Sequence, residues 1–185
     1  VVTSADPADP LLDKLTPYIT GLCLIPADKT STFENVYTPQ GRQQMIRGVA
    51  ASLHAEQVPA RWRSAPLVHI GPLTGEIDPP VLLWQFSHAR TMLTAQGLLR
   101  QWGDDGQVRF KRWADETALS YLDWLVLSEE DIAAAPDLEA TYAKATAHAV
   151  ITRAQNGGHY YIGGGAHTYT TPQVEATHPT GAGDV

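Results

Sequence analysis

The chain has 185 residues and a formal net charge of -7, with 43% hydrophobic and 18% charged residues. This balance is typical of a folded globular domain and argues against a disordered chain. The negative charge gives no electrostatic support for a nucleic-acid partner, and no apolar run approaches the roughly 18 residues of a membrane helix. Cys23 is the only cysteine, so no internal disulfide can form. We therefore predict a cytoplasmic protein without a nucleic-acid or membrane partner.

Predicted strands and helices alternate along the chain. Short apolar runs predict strands at 1–3, 22–25, 67–70, 92–95, 124–127 and 149–152. Helices are predicted at 11–15, from 79 onward, at 117–121 and at 138–146, and the prolines at 79 and 80 are tolerated because they fall in a first turn. Turn-forming residues near 38–41 and 163–165 predict two β-hairpins, over 30–49 and 157–171.

This alternation predicts a single α/β domain over residues 1–185, with a mostly parallel sheet, helices on both faces and added β-hairpins. The chain opens at Val1 as though already inside a strand, and it closes at Val185 directly after a glycine-rich turn. We therefore expect the N- and C-terminal parts of the fold to be missing, so that the domain is incomplete at both ends.

The most informative segment is the last, His178-Pro179-Thr180-Gly181-Ala182-Gly183-Asp184. Small residues let the backbone approach a ligand closely, and the first amides of a following helix bind anions. A carboxylate directly after such an anion site can accept the proton of an attacking hydroxyl. The alternative is a surface turn in which the aspartate caps a helix.

This segment resembles the C-terminal signature of the ribokinase-like (PfkB carbohydrate kinase) family, Asp-Thr-x-Gly-Ala-Gly-Asp, which residues 180–184 match without a gap. The resemblance implies that Asp184 is the catalytic base and that the amides of Gly181, Ala182 and Gly183 form an anion hole, with Thr180 beside the nucleotide. His178 stands where the family has its first aspartate, which puts monovalent-cation dependence in doubt.

A second segment, 150–158, resembles the family's Thr-x-Gly-x-x-Gly turn. Thr152 and Gly157 match this turn, and Ala154 replaces its first glycine. The resemblance implies that these residues and Arg153 border the nucleotide, at the strand edge where α/β folds bind ligands. The alternative is an ordinary turn between a strand and a hairpin.

A third segment, 124–131, resembles the family's apolar strand followed by Asn-x-x-Glu. Ser128 and Asp131 occupy the two polar positions. The resemblance implies that Ser128 borders the nucleotide and that Asp131 lies near Mg²⁺. The acids at 129–131 also suit the first turn of a helix, which is the alternative interpretation.

Two loops that follow predicted strands, 71–77 and 94–100, look like substrate loops of the sugar- or inositol-kinase-like branch of the family. We predict substrate contacts from Glu76, Gln96 and Arg100. A guanidinium suits oxyanions, although a solvated surface arginine is the equal alternative for Arg100.

Together these segments predict a small-molecule kinase that uses ATP and Mg²⁺ and phosphorylates a hydroxyl of a sugar or cyclic polyol. We expect the 185-residue chain alone to be inactive, and the sequence leaves a homodimer open. The alternative from another class is a non-catalytic nucleotide- or metabolite-binding module with a truncated or degenerate kinase fold. The departures from the family motifs at Ser128, Ala154 and His178 favour that alternative.

Overall fold

A computed structural model describes residues 1–38 and 41–173 of the chain. The strands are β1 (Val2–Ala5), β2 (Cys23–Pro26), β3 (Thr32–Thr38), β4 (Gly41–Gly48), β5 (Leu67–Ile70), β6 (Arg90–Thr94), β7 (Arg100–Gln101), β8 (Arg109–Phe110), β9 (Trp124–Ser128), β10 (His148–Thr152), β11 (Gly158–Ile162) and β12 (Gly165–Tyr169). The α-helices are α1 (Leu11–Leu15), α2 (Pro79–Gln85), α3 (Glu116–Ser120) and α4 (Asp137–Ala145). Short 3₁₀ turns occupy Thr16–Tyr18, Ala55–Gln57, Ala60–Trp62, Ala95–Leu99, Glu129–Ile132 and Ala154–Asn156.

The main sheet has six strands in the order β12-β11-β10-β9-β6-β5. Strands β5, β6, β9 and β10 are parallel, and β11 and β12 form an antiparallel hairpin at one edge. Gly163 and Gly164 have positive φ angles of 54° and 82°, which the tight hairpin turn requires. The predicted mostly parallel sheet with an added hairpin is confirmed.

Helices α2, α3 and α4 connect the parallel strands and lie together on one face of the sheet. Successive right-handed crossovers in the same direction place their helices on the same side. Leu93, Leu125 and Ile151 point from neighbouring strands toward this layer and are fully buried, as are Leu138 and Tyr142 of α4. This face therefore carries the hydrophobic core.

The other face of the sheet, which we call the open face, is different. Among the residues that the structure describes, its side chains are partly buried or exposed, and the apolar Met92, Trp124, Val126 and Val150 are partly buried. The helical layer predicted for the second face is not formed by α2, α3 or α4.

Smaller sheets flank the main one. β1 and β2 pair in parallel, and β3 and β4 form the predicted hairpin, with a register shift between Thr32 and Phe33. The pair β7–β8 was not predicted from the sequence, because two residues per strand leave no recognisable alternation. Across the ranges 1–38 and 41–173, no helix has the length and apolar character needed to cross a membrane.

Candidate functional site

The carboxyl ends of the parallel strands meet at one edge of the main sheet. β9 and β10 are adjacent, and Ser128 lies directly opposite Thr152 at that edge. The sequence predicts that the turns after these two strands share an edge, and the register confirms it. Open α/β sheets bind their ligands at this edge, so the loops here form the candidate site.

Asp131 organises the turn that follows β9. Its Oδ2 atom accepts a hydrogen bond from the backbone N–H of Ser128 at 2.9 Å, and the Ser128 hydroxyl accepts one from the N–H of Glu130 at 3.3 Å. Ser128 thus caps this short helical turn, which agrees with the alternative interpretation of the segment as the first turn of a helix. The Oδ1 atom of Asp131 accepts a hydrogen bond from Nε2 of Gln96 at 3.0 Å. A predicted metal ligand and a predicted substrate contact therefore lie side by side.

A cavity of about 310 Å³ opens beside this pair. Gln96, Arg100 and Asp131 line it from the main body. Its opposite wall comes from β4, the segment before β8 and β8 itself, with Gln43, Gln44, Gln107, Val108, Arg109 and Phe110 among the lining residues. Amide side chains can donate and accept hydrogen bonds at once, which suits a ligand rich in hydroxyl groups.

Backbone hydrogen bonds join the two parts of this opposite wall, β4 and the segment before β8. The N–H of Ile46 donates to the carbonyl of Gly106 at 2.8 Å, and the N–H of Val108 donates to the carbonyl of Gln44 at 2.9 Å. The guanidinium of Arg100 lies 5.0 Å from the ring centroid of Phe33 on β3, which is cation–π distance. The hairpin and the body thus enclose the cavity as one packed unit.

Sequence reasoning missed Gln43, Gln44 and Gln107 as cavity residues. The pair Gln43-Gln44, in a predicted strand of mixed polar and apolar residues, is the local signal that could have indicated a polar site there. The proximity of β4 to the loop after β6 is a tertiary contact, which no local pattern displays.

Glu76 lies apart from Gln96 and Arg100. Its carboxylate accepts hydrogen bonds from the backbone N–H groups of Leu73 and Thr74, at 3.1 and 2.7 Å, and from the Thr74 hydroxyl at 3.0 Å. It thereby stabilises the turn at Gly75, whose φ is 69°. Glu76 borders a different cavity, of about 420 Å³, between β1 and β5.

The loop that carries Gln96 is pressed against the loop after β5. A Cβ atom on Gly97 would lie 2.2 Å from the carbonyl oxygen of Pro72 and 2.6 Å from the nitrogen of Leu73. The N–H of Gly97 also donates to the carbonyl of Pro72 at 3.1 Å. Only glycine permits this backbone contact.

Arg153, at the end of β10, belongs to a charged cluster. Its guanidinium pairs with Glu129 at 3.1 Å and with Glu139 of α4 at 2.9 Å. The hydroxyl of Tyr161 donates to Glu139 at 2.6 Å, and Nδ1 of His159 lies 2.9 Å from the same carboxylate. Burial opposes the charged form of Glu139, but these hydrogen bonds and the charge of Arg153 outweigh it and lower the pKa of Glu139.

The turn after Arg153 has an unusual backbone. Ala154 has a φ of 46° and Gly157 a φ of 81°. A Cβ atom on Gly157 would lie 1.9 Å from the carbonyl oxygen of Tyr169 on β12. The glycine that the second motif preserves is therefore required by close backbone packing as well as by its dihedral angles.

No protein-family model and no curated protein matches the sequence, but solved structures do match. A pyrophosphate-dependent kinase in the ribokinase family, in complex with sulfate, aligns with a TM-score of 0.82 and 19% sequence identity. A pyrophosphate-dependent kinase in the same family, complexed with a pyrophosphate analog and myo-inositol, aligns with a TM-score of 0.81 and 19% identity. A ribokinase from Thermotoga maritima gives a TM-score of 0.67 and 18% identity.

The chain has the ribokinase-like fold. All of it is covered in these three comparisons, whereas it spans only 69%, 68% and 63% of the three neighbours. At such low identity the likeness is one of fold. It confirms the α/β fold class predicted from the sequence, and the partial coverage of the neighbours is consistent with the expectation that parts of the fold are missing.

Within this ribokinase-like fold, four of the predicted nucleotide residues lie at one edge of the sheet. The adjacent strands β9 and β10 end at Ser128 and Thr152, and Arg153 and Ala154 follow β10. Gly157 lies in the same turn as Arg153. The predicted base Asp184, the predicted anion hole at Gly181, Ala182 and Gly183, and Thr180 lie outside the described residues, as does His178.

Asp131 fits the chemistry of a magnesium site in part. Within residues 1–38 and 41–173, no group of three or more potential metal ligands occurs. Mg²⁺ usually keeps several water ligands and binds through one or two carboxylates together with substrate phosphates. A single carboxylate at this edge is compatible with that kind of site.

Proposed function

We propose that this chain is part of a ribokinase-like family kinase that transfers a phosphoryl group from ATP to a hydroxyl of a sugar or cyclic polyol. The observation that carries the proposal is the cavity of about 310 Å³ at the carboxyl edge of the sheet. In it, the predicted substrate contacts Gln96 and Arg100 meet the predicted metal ligand Asp131. A cavity of this size matches a small ligand.

Polar groups on both walls of the cavity suit a polyol. Gln96 on one side and Gln44 and Gln107 on the other can donate to and accept from hydroxyl groups. Arg100 adds a fixed positive charge beside them, which favours an oxyanion such as the phosphorylated product. Asp131, held by Gln96 and by the N–H of Ser128, would contribute a carboxylate to Mg²⁺. When bound, Mg²⁺ would neutralise charge on the phosphate oxygens.

The reacting groups are assigned from the motif at the end of the chain. Asp184 would accept the proton of the attacking hydroxyl, and the amides of Gly181, Ala182 and Gly183 would stabilise charge on the transferred group. Ser128, Thr152, Arg153, Ala154, Gly157 and Thr180 would border the donor.

A second donor is supported by the comparisons. The two neighbours with TM-scores of 0.82 and 0.81 are described as pyrophosphate-dependent kinases. Pyrophosphate would need the same anion hole and metal but no site for a nucleoside. We therefore keep pyrophosphate as the alternative to ATP.

The test is a donor and acceptor panel on the full-length protein. Phosphoryl transfer from ATP or pyrophosphate to sugars and inositols would be followed by phosphorus NMR, which detects the product with either donor. We expect one donor to be used, and EDTA to abolish transfer. Transfer that resists EDTA would contradict the metal-dependent mechanism. Binding of ATP without transfer to any acceptor would instead favour the non-catalytic binding module.

The role of Asp184 has its own experiment. Asp184→Asn keeps the size of the side chain but removes its ability to accept a proton at neutral pH. Turnover of the full-length variant should fall roughly 10²–10⁴-fold, while donor affinity should change little, because backbone amides form the anion hole. Asp13→Asn, at an exposed position on α1, is the matched control. Undiminished turnover in Asp184→Asn would show that the aspartate only caps a helix.

A further inference from the structure

The side chain of Arg153 joins three elements at the carboxyl edge of the main sheet. One terminal nitrogen donates to Glu129, in the turn that follows β9, at 3.1 Å. The other donates to both carboxylate oxygens of Glu139 on α4, at 3.1 and 2.9 Å. Arg153 itself stands directly after β10. The guanidinium therefore links the turn that contains Asp131 to the 153–157 turn and to the start of the neighbouring helix.

The charge of this guanidinium is already compensated. Two carboxylates face one guanidinium, so these three groups together carry negative charge and would repel a phosphate group. An arginine that binds phosphate presents its terminal nitrogens to the phosphate oxygens. In Arg153, each of the two terminal nitrogens donates to a carboxylate instead. The contacts are those of a structural link rather than those of an anion site.

The 153–157 turn is held in an unfavourable conformation. Ala154 has a φ of 46°, which a residue with a Cβ atom rarely adopts and which needs surrounding contacts to persist. Within the turn, the N–H of Arg153 donates to the carbonyl of Gly157 at 2.7 Å, and the N–H of Asn156 donates to the carbonyl of Arg153 at 2.9 Å. The paired side chain of Arg153 fixes one end of this turn to α4.

The other side of the turn contacts the segment that follows β12. The carbonyl of Gln155 accepts a hydrogen bond from the Thr171 hydroxyl at 3.0 Å and another from Nε2 of Gln173 at 2.8 Å. In the sequence, this segment leads to the predicted anion hole and base at 181–184. The turn thus stands between the Arg153 cluster and the approach to the predicted reacting groups.

We propose that Arg153 is a positioning residue for phosphoryl transfer and does not bind the phosphates of the donor. Held by Glu129 and Glu139, it fixes the 153–157 turn. The turn in its place orients the 169–173 segment, and with it the approach to Asp184. The proposal rests on the proposed kinase activity.

Kinetics and donor binding on the full-length protein test this role. Arg153→Gln and Glu139→Gln each remove one end of the link. Arg112→Gln is the matched control, because Arg112 forms an exposed ion pair with Asp137 at the start of the same helix. We expect turnover to fall roughly 10–100-fold in the first two variants, because small displacements of reacting groups slow a reaction strongly. The dissociation constant of the donor, measured by calorimetry, should change less than about threefold, and the control should match the wild-type protein.

Two further variants distinguish positioning from donor binding. Arg153→Lys keeps the charge but not the planar fork, so its turnover should lie between those of the wild-type protein and Arg153→Gln. The double variant Arg153→Gln/Glu139→Gln should be no slower than Arg153→Gln alone, because both changes break the same contact. A donor dissociation constant that rises about tenfold or more in Arg153→Gln but not in Glu139→Gln would show that Arg153 binds the donor, and would overturn the proposal. Undiminished turnover in Arg153→Gln would overturn it as well.

A measurement that needs no turnover separates this test from that of the proposed function. A nitroxide label at the exposed position 172, introduced as Pro172→Cys in a Cys23→Ser background, reports the mobility of the 169–173 segment by electron paramagnetic resonance. We expect the label to be more mobile in Arg153→Gln than in Arg112→Gln. Equal mobility in the two variants would overturn the proposal. Absence of transfer by the wild-type protein, with label mobility still dependent on Arg153, would count against the proposed activity and not against the link.

Discussion

Glu139 connects α4 to the turn after β10 through one carboxylate. It accepts a hydrogen bond from Tyr161 and pairs with Arg153 and His159, and its side chain is only 19% exposed. The Nε atom of Arg153 is buried without a hydrogen-bond partner. The position of the Arg153 guanidinium therefore depends on Glu129 and Glu139.

We predict that this cluster makes stability depend on pH at the acid end. Because the pKa of Glu139 is lowered in the folded state, its contribution is present above the unfolded-state pKa and is lost as pH falls through the folded-state pKa. Glu139→Gln should cost about 1–3 kcal/mol at neutral pH and should flatten the acid limb of the stability curve. Urea unfolding across the acid range measures both effects. The exposed Glu56→Gln is the control, and identical acid limbs in the two variants would contradict the prediction.

We predict that Tyr161 makes folding stability depend on pH at the alkaline end as well, where stability is lost as pH rises. Burial and the neighbouring Glu139 raise the pKa of Tyr161 to about 12. The neutral phenol therefore contributes stability that is fully present below about pH 10, the ordinary tyrosine value, and that disappears as pH rises through about 12. Tyr161→Phe should remove this alkaline loss, which unfolding at high pH would detect.

Substitutions at Gly157 and Gly163 distinguish the energetic cost of backbone strain from that of steric overlap. Both have positive φ, but a Cβ on Gly157 would strike the carbonyl of Tyr169, whereas a Cβ on Gly163 meets nothing within 4 Å. We expect Gly163→Ala to cost about 1–2 kcal/mol from the dihedral angle alone. Gly157→Ala should cost a further 1–3 kcal/mol or so from overlap. Equal losses in chemical unfolding would show that the turn relaxes around the new methyl group.

Helix α4 illustrates how packing stabilises a short element. Nine residues are too few for a stable isolated helix, so α4 depends on burial of Leu138 and Tyr142 against the sheet. The Tyr142 hydroxyl also donates to the carbonyl of Trp113 at 2.6 Å. This bond ties the helix to the segment before α3.

We predict that truncating this contact surface destabilises the domain as a whole. Leu138→Ala should lower the free energy of unfolding by about 2–5 kcal/mol, because Leu138 is fully buried. Lys144→Ala, at an exposed position on the same helix, should change it by no more than about 0.5 kcal/mol. Denaturant titrations of both variants measure the free energy of unfolding. A small decrease in Leu138→Ala would contradict the prediction and would mean that neighbouring side chains repack into the cavity.

The sequence predicts elements well where their local pattern is strong. The apolar runs before Ser128 and Arg153 are strands, and the turns that follow them share one edge of the sheet, as predicted. β7 and β8 were not predicted, since two-residue strands have no pattern to detect. The contact of Gln44 with the cavity and that of Glu139 with Arg153 were also not predicted. Each joins segments distant in sequence, and only tertiary packing brings them together.

At the scale of the whole molecule, the structure presents one helical layer and one open face. The predicted anion hole and base at 181–184 lie outside the described residues. On the proposed mechanism, catalysis needs these residues at the carboxyl edge of the sheet, beside the cavity that Asp131 lines.

The contact between Gly97 and Pro72 also has a mechanical consequence. Because the backbones at Gly97 and Pro72 are in close contact and share a hydrogen bond, the loops that carry Glu76 and Gln96 are coupled. Neither loop can close over a ligand independently of the other. Hydrogen bonds likewise join β4 to the 106–108 segment in the opposite wall. A ligand that enters the cavity beside Asp131 therefore meets two walls that are each already ordered.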